Sequence, residues 1–374
     1  MSRKRWLRIG FALFGLAMVS LMATACGSSS SSSGTETSSG TTGGSTAASA
    51  EPSESSSSES SYAGSETKFY EPFPTPQKKA GTPFKVGYLQ ISGSIPLLAT
   101  IESGAIEEAE NLDGSVVSVD AEVDPQKQAA GFEQLLAQKV DVIVGYPVVA
   151  KALAPQLAKA EAAGIPVILT ASQADPTKPL EPGIRADVSN GYDFVAYENM
   201  KALSEKEPGG KFVTMGLAAP VESLEYYVSR FKYWGEKFGL EFLGEIDTKE
   251  DDPEGYAAAA NAILSKYPEA TMIATYSDLA GLSTSTVVEQ SGREVLIAAG
   301  NGASQADIEA VKAGHIFSIY APPWHGFGAE MVRGAYDAVT KQGTLPERTV
   351  SPLPEEGVLV TAENADEVQP SIEG

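Results

Sequence analysis

"VDVIVGYP", residues 140–147, decides the fold. An apolar run of this length that stops at Gly-Tyr-Pro reads as a buried strand. Its flanks repeat a unit. Before it, "PQKQAAGFEQLLAQ" (125–138) has helical spacing. After it, "KALAPQLAKAEAAG" (151–164) is a helix closed by Gly164, and "IPVILTAS" (165–172) is the next strand. Upstream lie a strand "FKVGYLQI" (84–91), a helix "ATIESGAIEEAENL" (99–112) and a strand "SVVSVDAE" (115–122). In that first helix Ile101, Ala105, Ile106 and Ala109 are expected on one side. Strands alternating with helices call for a parallel sheet covered on both faces.

The rhythm then restarts. Helices are expected over 190–207, 221–239, 253–268, 280–292, 304–314 and 326–343, with strands over 211–217, 240–247, 270–277, 295–301 and 316–322. The fold class is therefore α/β, with two doubly wound, Rossmann-like lobes and parallel sheets. Ligands of such sheets sit at the carboxyl ends of strands, and two facing ends make a cleft.

The amino terminus differs in kind. Arg3, Lys4, Arg5 and Arg8 precede an apolar run, Ile9 to Ala23, and Ala23, Thr24 and Ala25 lead into Cys26. That run has the length of a signal-peptide core and is short for a membrane-spanning helix. It resembles the bacterial lipoprotein signal, which implies a signal peptide over 1–25, lipid on Cys26 and a place on the outer side of the cell membrane. The family pattern prefers a larger aliphatic where Ala23 stands. Residues 26–82 hold the cysteine and a Ser, Gly and Pro-rich tether, with too little apolar surface to offset its ordering entropy. Cys26 is the only cysteine, so the folded part contains no intramolecular disulfide and no thiol chemistry.

The formal net charge of −22 repels phosphate backbones and argues against nucleic acid as a partner. No catalytic constellation stands out. There are two histidines, His315 and His325, but no G-x-S-x-G elbow and no phosphate-binding loop. "DTKEDDPEG" (247–255) lacks the spacing of a calcium loop and reads as a solvated acidic loop. No metal, no cofactor and no enzymatic activity are expected.

The candidate ligand residues lie at strand ends. Ser92 and Ser94, with Ile95 beside them, occupy the turn after the first strand, and the two hydroxyls either donate to a ligand or cap the next helix. Tyr146 follows the third strand, and Thr170 and Ser172 end the fourth. Asp187 accepts ligand hydroxyls or caps the following helix. In the second half Glu222, Glu225 and Tyr226 start a helix, while Tyr276, Asp278 and Asn301 follow strands. Trp324, in "APPWHG" (321–326), is a flat platform for a sugar face or an interface packer. Aromatic rings with Ser, Asp, Asn and Glu suit a neutral polyhydroxylated ligand, and the scarcity of cations disfavours phosphates and polycarboxylates.

"FKVGYLQISGSIP", "QLLAQKVDVIVGYPV" (134–148), "AKAEAAGIPVILTAS" (158–172), "EATMIATYSDLAGLSTSTVVEQSG" (269–292) and "VLIAAGNGASQADIEAVKAGHIFSIYAPP" (295–323) together resemble the type I periplasmic-binding-protein superfamily, in its ribose/galactose-like sugar-binding branch. The resemblance implies a monomeric solute-binding protein of an ABC transporter that closes two lobes by a hinge motion and passes its solute to a membrane permease. It implies three crossings, near 187, 321 and 350. The first lobe is then 83–187 with 322–350, the second 188–321 with 351–365, and 366–374 a tail. The residues depart from the branch's sugar pattern: Ala171 and Ser172 stand where Asp-Arg is common, Asn301 replaces an Asp, and Tyr276 replaces an Asn or Asp. A sugar or polyol is the expected ligand, with nucleosides and autoinducers as alternatives. Presentation of ligand to a membrane receptor is the alternative role.

Overall fold

A computed structural model describes residues 73–77, 83–341, 345–350 and 357–372. The signal segment, Cys26 and most of the tether lie outside the described residues. Among the described residues, no helix is long and apolar enough to cross a membrane.

The first lobe follows from the side-chain alternation of its strands. In β1 (Lys85–Gln90), Val86 and Tyr88 face one layer of core while Leu89 faces the other. In β3 (Val142–Gly145), Val144 and Ile143 divide in the same way, and in β4 (Val167–Thr170) Ile168 opposes Val167 and Leu169. Strands with both faces apolar must be covered on both sides. On one side lie α1 (Pro96–Asn111) and α9 (Trp324–Thr340), and on the other α2 (Pro125–Ala137) and α3 (Ala154–Ala163). With β2 (Ser115–Asp120), β5 (Ala186–Ser189) and β11 (Arg348–Val350), the sheet order is β11-β5-β4-β3-β1-β2, parallel throughout. Local chemistry sets the helix ends. Asp124 caps α2 by accepting from the amides of Gln126 and Lys127 at 2.7 and 3.1 Å. Gly164 closes α3 in the left-handed region at φ 70°. The 151–164 helix divides, since a short 3-10 turn, Ala150–Leu153, precedes α3.

The second lobe repeats the plan. Its elements are α4 (Tyr192–Lys206), β6 (Lys211–Leu217), α5 (Glu222–Lys237), β7 (Glu241–Thr248), α6 (Pro253–Lys266), β8 (Met272–Thr275), α7 (Asp278–Ser291), β9 (Leu296–Asn301), α8 (Gln305–Lys312), β10 (Ser318–Ala321) and β12 (Val358–Val360). The sheet order is β12-β10-β9-β8-β6-β7. The expectation of wholly parallel sheets is corrected at one edge, where β12 runs antiparallel to β10. Residues 185–191, read as an interlobe connection, contain β5, a buried strand of the first sheet that pairs with β4 and β11. The chain leaves the first sheet after Ser189. It leaves the second sheet after Ala321 and next enters it at Val358. The expected tail is partly docked, with Ser371 donating its amide to the Ala303 carbonyl at 2.8 Å.

The passage back at 322–323 brings α9 onto α1. Contact here is so close that a Cβ on Gly328 would lie 1.8 Å from the Ile101 carbonyl oxygen, and one on Gly104 would lie 1.9 Å from that of His325. Gly104, not the expected Ile106, faces the core, and Ile106 is exposed. Gly328→Ala is expected to destabilise the protein by about 3 kcal/mol, because overpacking must push the two backbones apart. Urea unfolding measures this, and a variant as stable as the parent contradicts it.

Candidate functional site

A cavity of about 110 Å³ lies between the lobes, lined by residues of both sheets' carboxyl ends. From the first lobe come Ile91, one residue past β1, Tyr146, one past β3, and Ile95, Leu97 and Leu98 at the start of α1, with Val123 from the β2–α2 turn. Asn190 and Tyr192 stand on the first passage between lobes and Trp324 on the second. From the second lobe come Leu217, Val221 and Leu224 around the start of α5, Asp251 after β7, and Tyr256 on α6. Tyr276, Ser277, Asp278 and Leu279 follow β8, and Asn301 ends β9. No lining residue is Lys, Arg or His.

A buried hydrogen-bond chain joins the halves. Thr170 donates to the Asn190 side-chain oxygen at 2.8 Å, and the Asn190 amide donates to the Tyr192 hydroxyl at 2.8 Å. The Tyr192 and Tyr146 hydroxyls are hydrogen-bonded at 2.7 Å, and Tyr146 reaches the Ser223 hydroxyl at 3.0 Å. Ser223 belongs to α5, so the last link spans the lobes. Burial holds the Tyr146 and Tyr192 phenols above the ordinary tyrosine range, which keeps both as neutral donors.

The second-lobe wall is acidic. Asp251 accepts from the Tyr256 hydroxyl at 2.6 Å and the Tyr276 hydroxyl at 2.5 Å. The acidic loop is solvated as expected, with residues 249–254 exposed, and its Asp251 also holds two tyrosines of the cavity. Asp278 begins α7 at the cavity, and a Cβ on Gly302 would lie 2.4 Å from its own Cβ. Desolvation pushes the Asp278 carboxyl up to about 8, with the nearby Asp307 adding to the rise. At neutral pH this carboxyl retains a proton and both donates and accepts.

Of the residues expected from sequence, Ile95, Tyr146, Tyr276, Asp278, Asn301 and Trp324 meet around this cavity. The others do not line it, for distinct reasons. Ser92 and Ser94 bond to each other at 2.9 Å and neither caps α1, whose cap residue is Ile95. Thr170 is spent on Asn190. Ser172 donates its amide to Asp187 at 2.7 Å, and its hydroxyl bonds the same carboxylate. Asp187 is fully buried in β5 beside Arg348 of β11, and the cap of α4 is Gly191. Burial pushes the Asp187 carboxyl up to about 6, against hydrogen bonds from Ser172 and the Arg348 charge. Glu222 and Glu225 are exposed on α5 and Tyr226 is half-buried against the core, with Arg230 over its ring at 5.8 Å, while Val221 and Leu224 line the cavity. His315 and His325 are half-exposed and face Glu289 at 3.6 Å and Glu107 at 3.2 Å. Trp324 is 1% exposed, a buried wall rather than an open platform. Tyr192 and Asn190 went unnoticed in the sequence because they follow a strand, β5, that was read as a connection. Among the described residues, no cluster of side chains is arranged to hold a metal ion.

The Asp278 shift predicts a pH effect. Between the ordinary Asp value of about 4 and its folded value of about 8, the folded state holds more protons than the unfolded one, so stability from this group falls as pH rises. Asp278→Asn is expected to raise the melting temperature at pH 9 by about 2 °C or more and to change it little at pH 4. Calorimetric scans across pH check this, and equal shifts at both ends contradict it.

Comparison with known proteins agrees with this geometry. The family model described as "Periplasmic binding protein domain" matches residues 86–343, more than half of the chain. The ribose import binding protein of Bacillus subtilis (strain 168) is 23% identical over 231 residues, covering 60% of this chain and 71% of the relative. A periplasmic ribose ABC transporter structure from Conexibacter woesei superposes with TM-score 0.67 at 19% identity, covering 78% of this chain and 96% of that one. A Bacillus halodurans ABC transporter solute-binding protein with bound myo-inositol gives 0.65 at 24% identity, covering 77% and 98%. The chain belongs to the periplasmic binding protein family, with the two-lobed fold of these structures.

Proposed function

We propose that this protein is a lipid-anchored, extracytoplasmic, monomeric solute-binding subunit of an ABC importer, and that it closes its lobes on a small neutral sugar or polyol before docking on a membrane permease. The observation that carries this reading is the interlobe cavity, built at the carboxyl ends of both sheets and free of cationic side chains. Carboxylates without a guanidinium or ammonium suit hydroxyl donors and repel anionic ligands. Asp251, Asp278, Asn301 and Ser277 supply acceptors and donors, and the rings of Tyr192, Tyr276 and Trp324 offer apolar faces. The bound myo-inositol of the Bacillus halodurans relative makes a cyclic polyol a natural first probe. Cys26, after its apolar run, is the proposed lipid site and lies outside the described residues.

Mechanically, ligand shifts the open–closed balance only as far as it binds the closed form better. The Tyr146–Ser223 bond adds to the closed side, since its partners belong to different lobes. Thermal-shift screening of ribose, allose, inositols and glycerol is expected to find a stabilising ligand. X-ray scattering with that ligand should show compaction. Tyr146→Phe, which loses a bond worth about 1 kcal/mol, should weaken binding about fivefold. No stabilisation by any sugar or polyol, or an unchanged envelope with ligand bound, contradicts the proposal.

A further inference from the structure

The two walls of the cavity differ in chemistry. The first-lobe wall is Ile91, Ile95, Leu97, Leu98 and Val123, with Tyr146 its one polar side chain. The Tyr146 hydroxyl is already engaged by Tyr192 and Ser223. Hydroxyls close by are also spent, since Ser92 and Ser94 bond to each other. The nearby Gln90 amide donates to the Leu98 carbonyl at 3.1 Å and to Glu102 at 2.9 Å, and its oxygen accepts from the Ile91 amide. The opposite wall also has aliphatic side chains, Leu217, Val221, Leu224 and Leu279, but it alone carries Asp251, Ser277, Asp278 and Asn301. At the hinge the Trp324 indole N–H is buried without a partner.

A fully hydroxylated sugar fits this space poorly. Hydroxyls turned to the first lobe would lose water and find no side-chain partner, a cost that falls on every such group. Hydroxyls turned to the second lobe meet the Asp251 carboxylate, the protonated Asp278 carboxyl, an amide and a serine. We infer that the cleft selects a two-faced ligand, a deoxygenated or methyl-bearing sugar or polyol, whose apolar edge lies on the Ile91–Ile95–Leu97–Val123 wall and whose hydroxyl edge lies on Asp251, Asp278 and Asn301. This inference rests on the sugar-or-polyol reading above and narrows it.

Ile95 sits at the wall and at the amino-terminal cap of α1, where it makes no side-chain cap bond. Serine is favoured at such a position, so Ile95→Ser adds a hydroxyl to the wall while strengthening the helix end. The experiment uses matched pairs that differ by one hydroxyl: L-rhamnose against L-mannose, L-fucose against L-galactose, and D-fucose against D-galactose. Isothermal calorimetry on the folded protein measures each. The deoxy member of a binding pair is expected to bind about tenfold tighter, the usual scale for one group in an apolar pocket. Ile95→Ser, checked for folding by its melting curve, should reduce that preference. Pairs that bind with the parent sugar as tight or tighter overturn the two-faced ligand and leave the sugar-or-polyol reading standing. Failure of all six sugars, with stabilisation by another polyol that has no apolar edge, also overturns the inference alone. Failure of every sugar and polyol overturns both.

Discussion

The close approach of α9 to α1 holds the rest together. α9 begins only after the chain has built most of the second lobe and crossed back, yet it covers the same face of the first sheet as α1. Backbone meets backbone there, because Gly104 and Gly328 carry no Cβ to keep them apart. The first lobe is thus completed by a segment more than 200 residues downstream of its first helix. One consequence is that the passages between lobes are fixed at defined points. Asn190, Tyr192 and Trp324 stand at two of them, and all three reach the cavity.

From that constraint the site follows. Two sheets of the same plan face each other with their carboxyl ends, so residues one or two positions past a strand converge. Convergence brings together groups that would be costly if buried alone. Asp251 stays exposed to water while two phenols of the cavity donate to it. Asp278 is tolerable because it keeps its proton at neutral pH. The Tyr146–Tyr192–Asn190–Thr170 chain leaves its hydroxyls paired across the hinge. A cavity with aliphatic residues on both sides and acids on one side only distinguishes molecules by where their hydroxyls lie.

Much of the fold was legible as a pattern. The run 140–147, its Gly-Tyr-Pro stop and the Gly164-closed helix each recur in the structure, because a doubly covered strand needs continuous apolar residues and a short helix needs a stop. Three edge-side strands were not legible. β5, β11 and β12 have three or four residues each and depend on partners brought from elsewhere in the chain. Asp187 shows the difficulty: as one polar residue before a helix it suggested a cap or a ligand contact. In the structure it is a strand residue opposite Arg348, which lies 161 positions away.

The sequence by itself determined the doubled α/β plan and the strand ends that form the cleft, and it excluded a cysteine-based centre. Those depend on periodicity and composition, which are properties of the chain's neighbours along the backbone. Only the tertiary structure decided which strand-end residues meet. Val221 and Leu224 face the cleft while Glu222 and Glu225 face water because of the rotation of one helix. Ile95 lines the cavity while Ser94 turns away because of one turn's geometry. Direction of a side chain is set by packing across the molecule, and no local pattern encodes it.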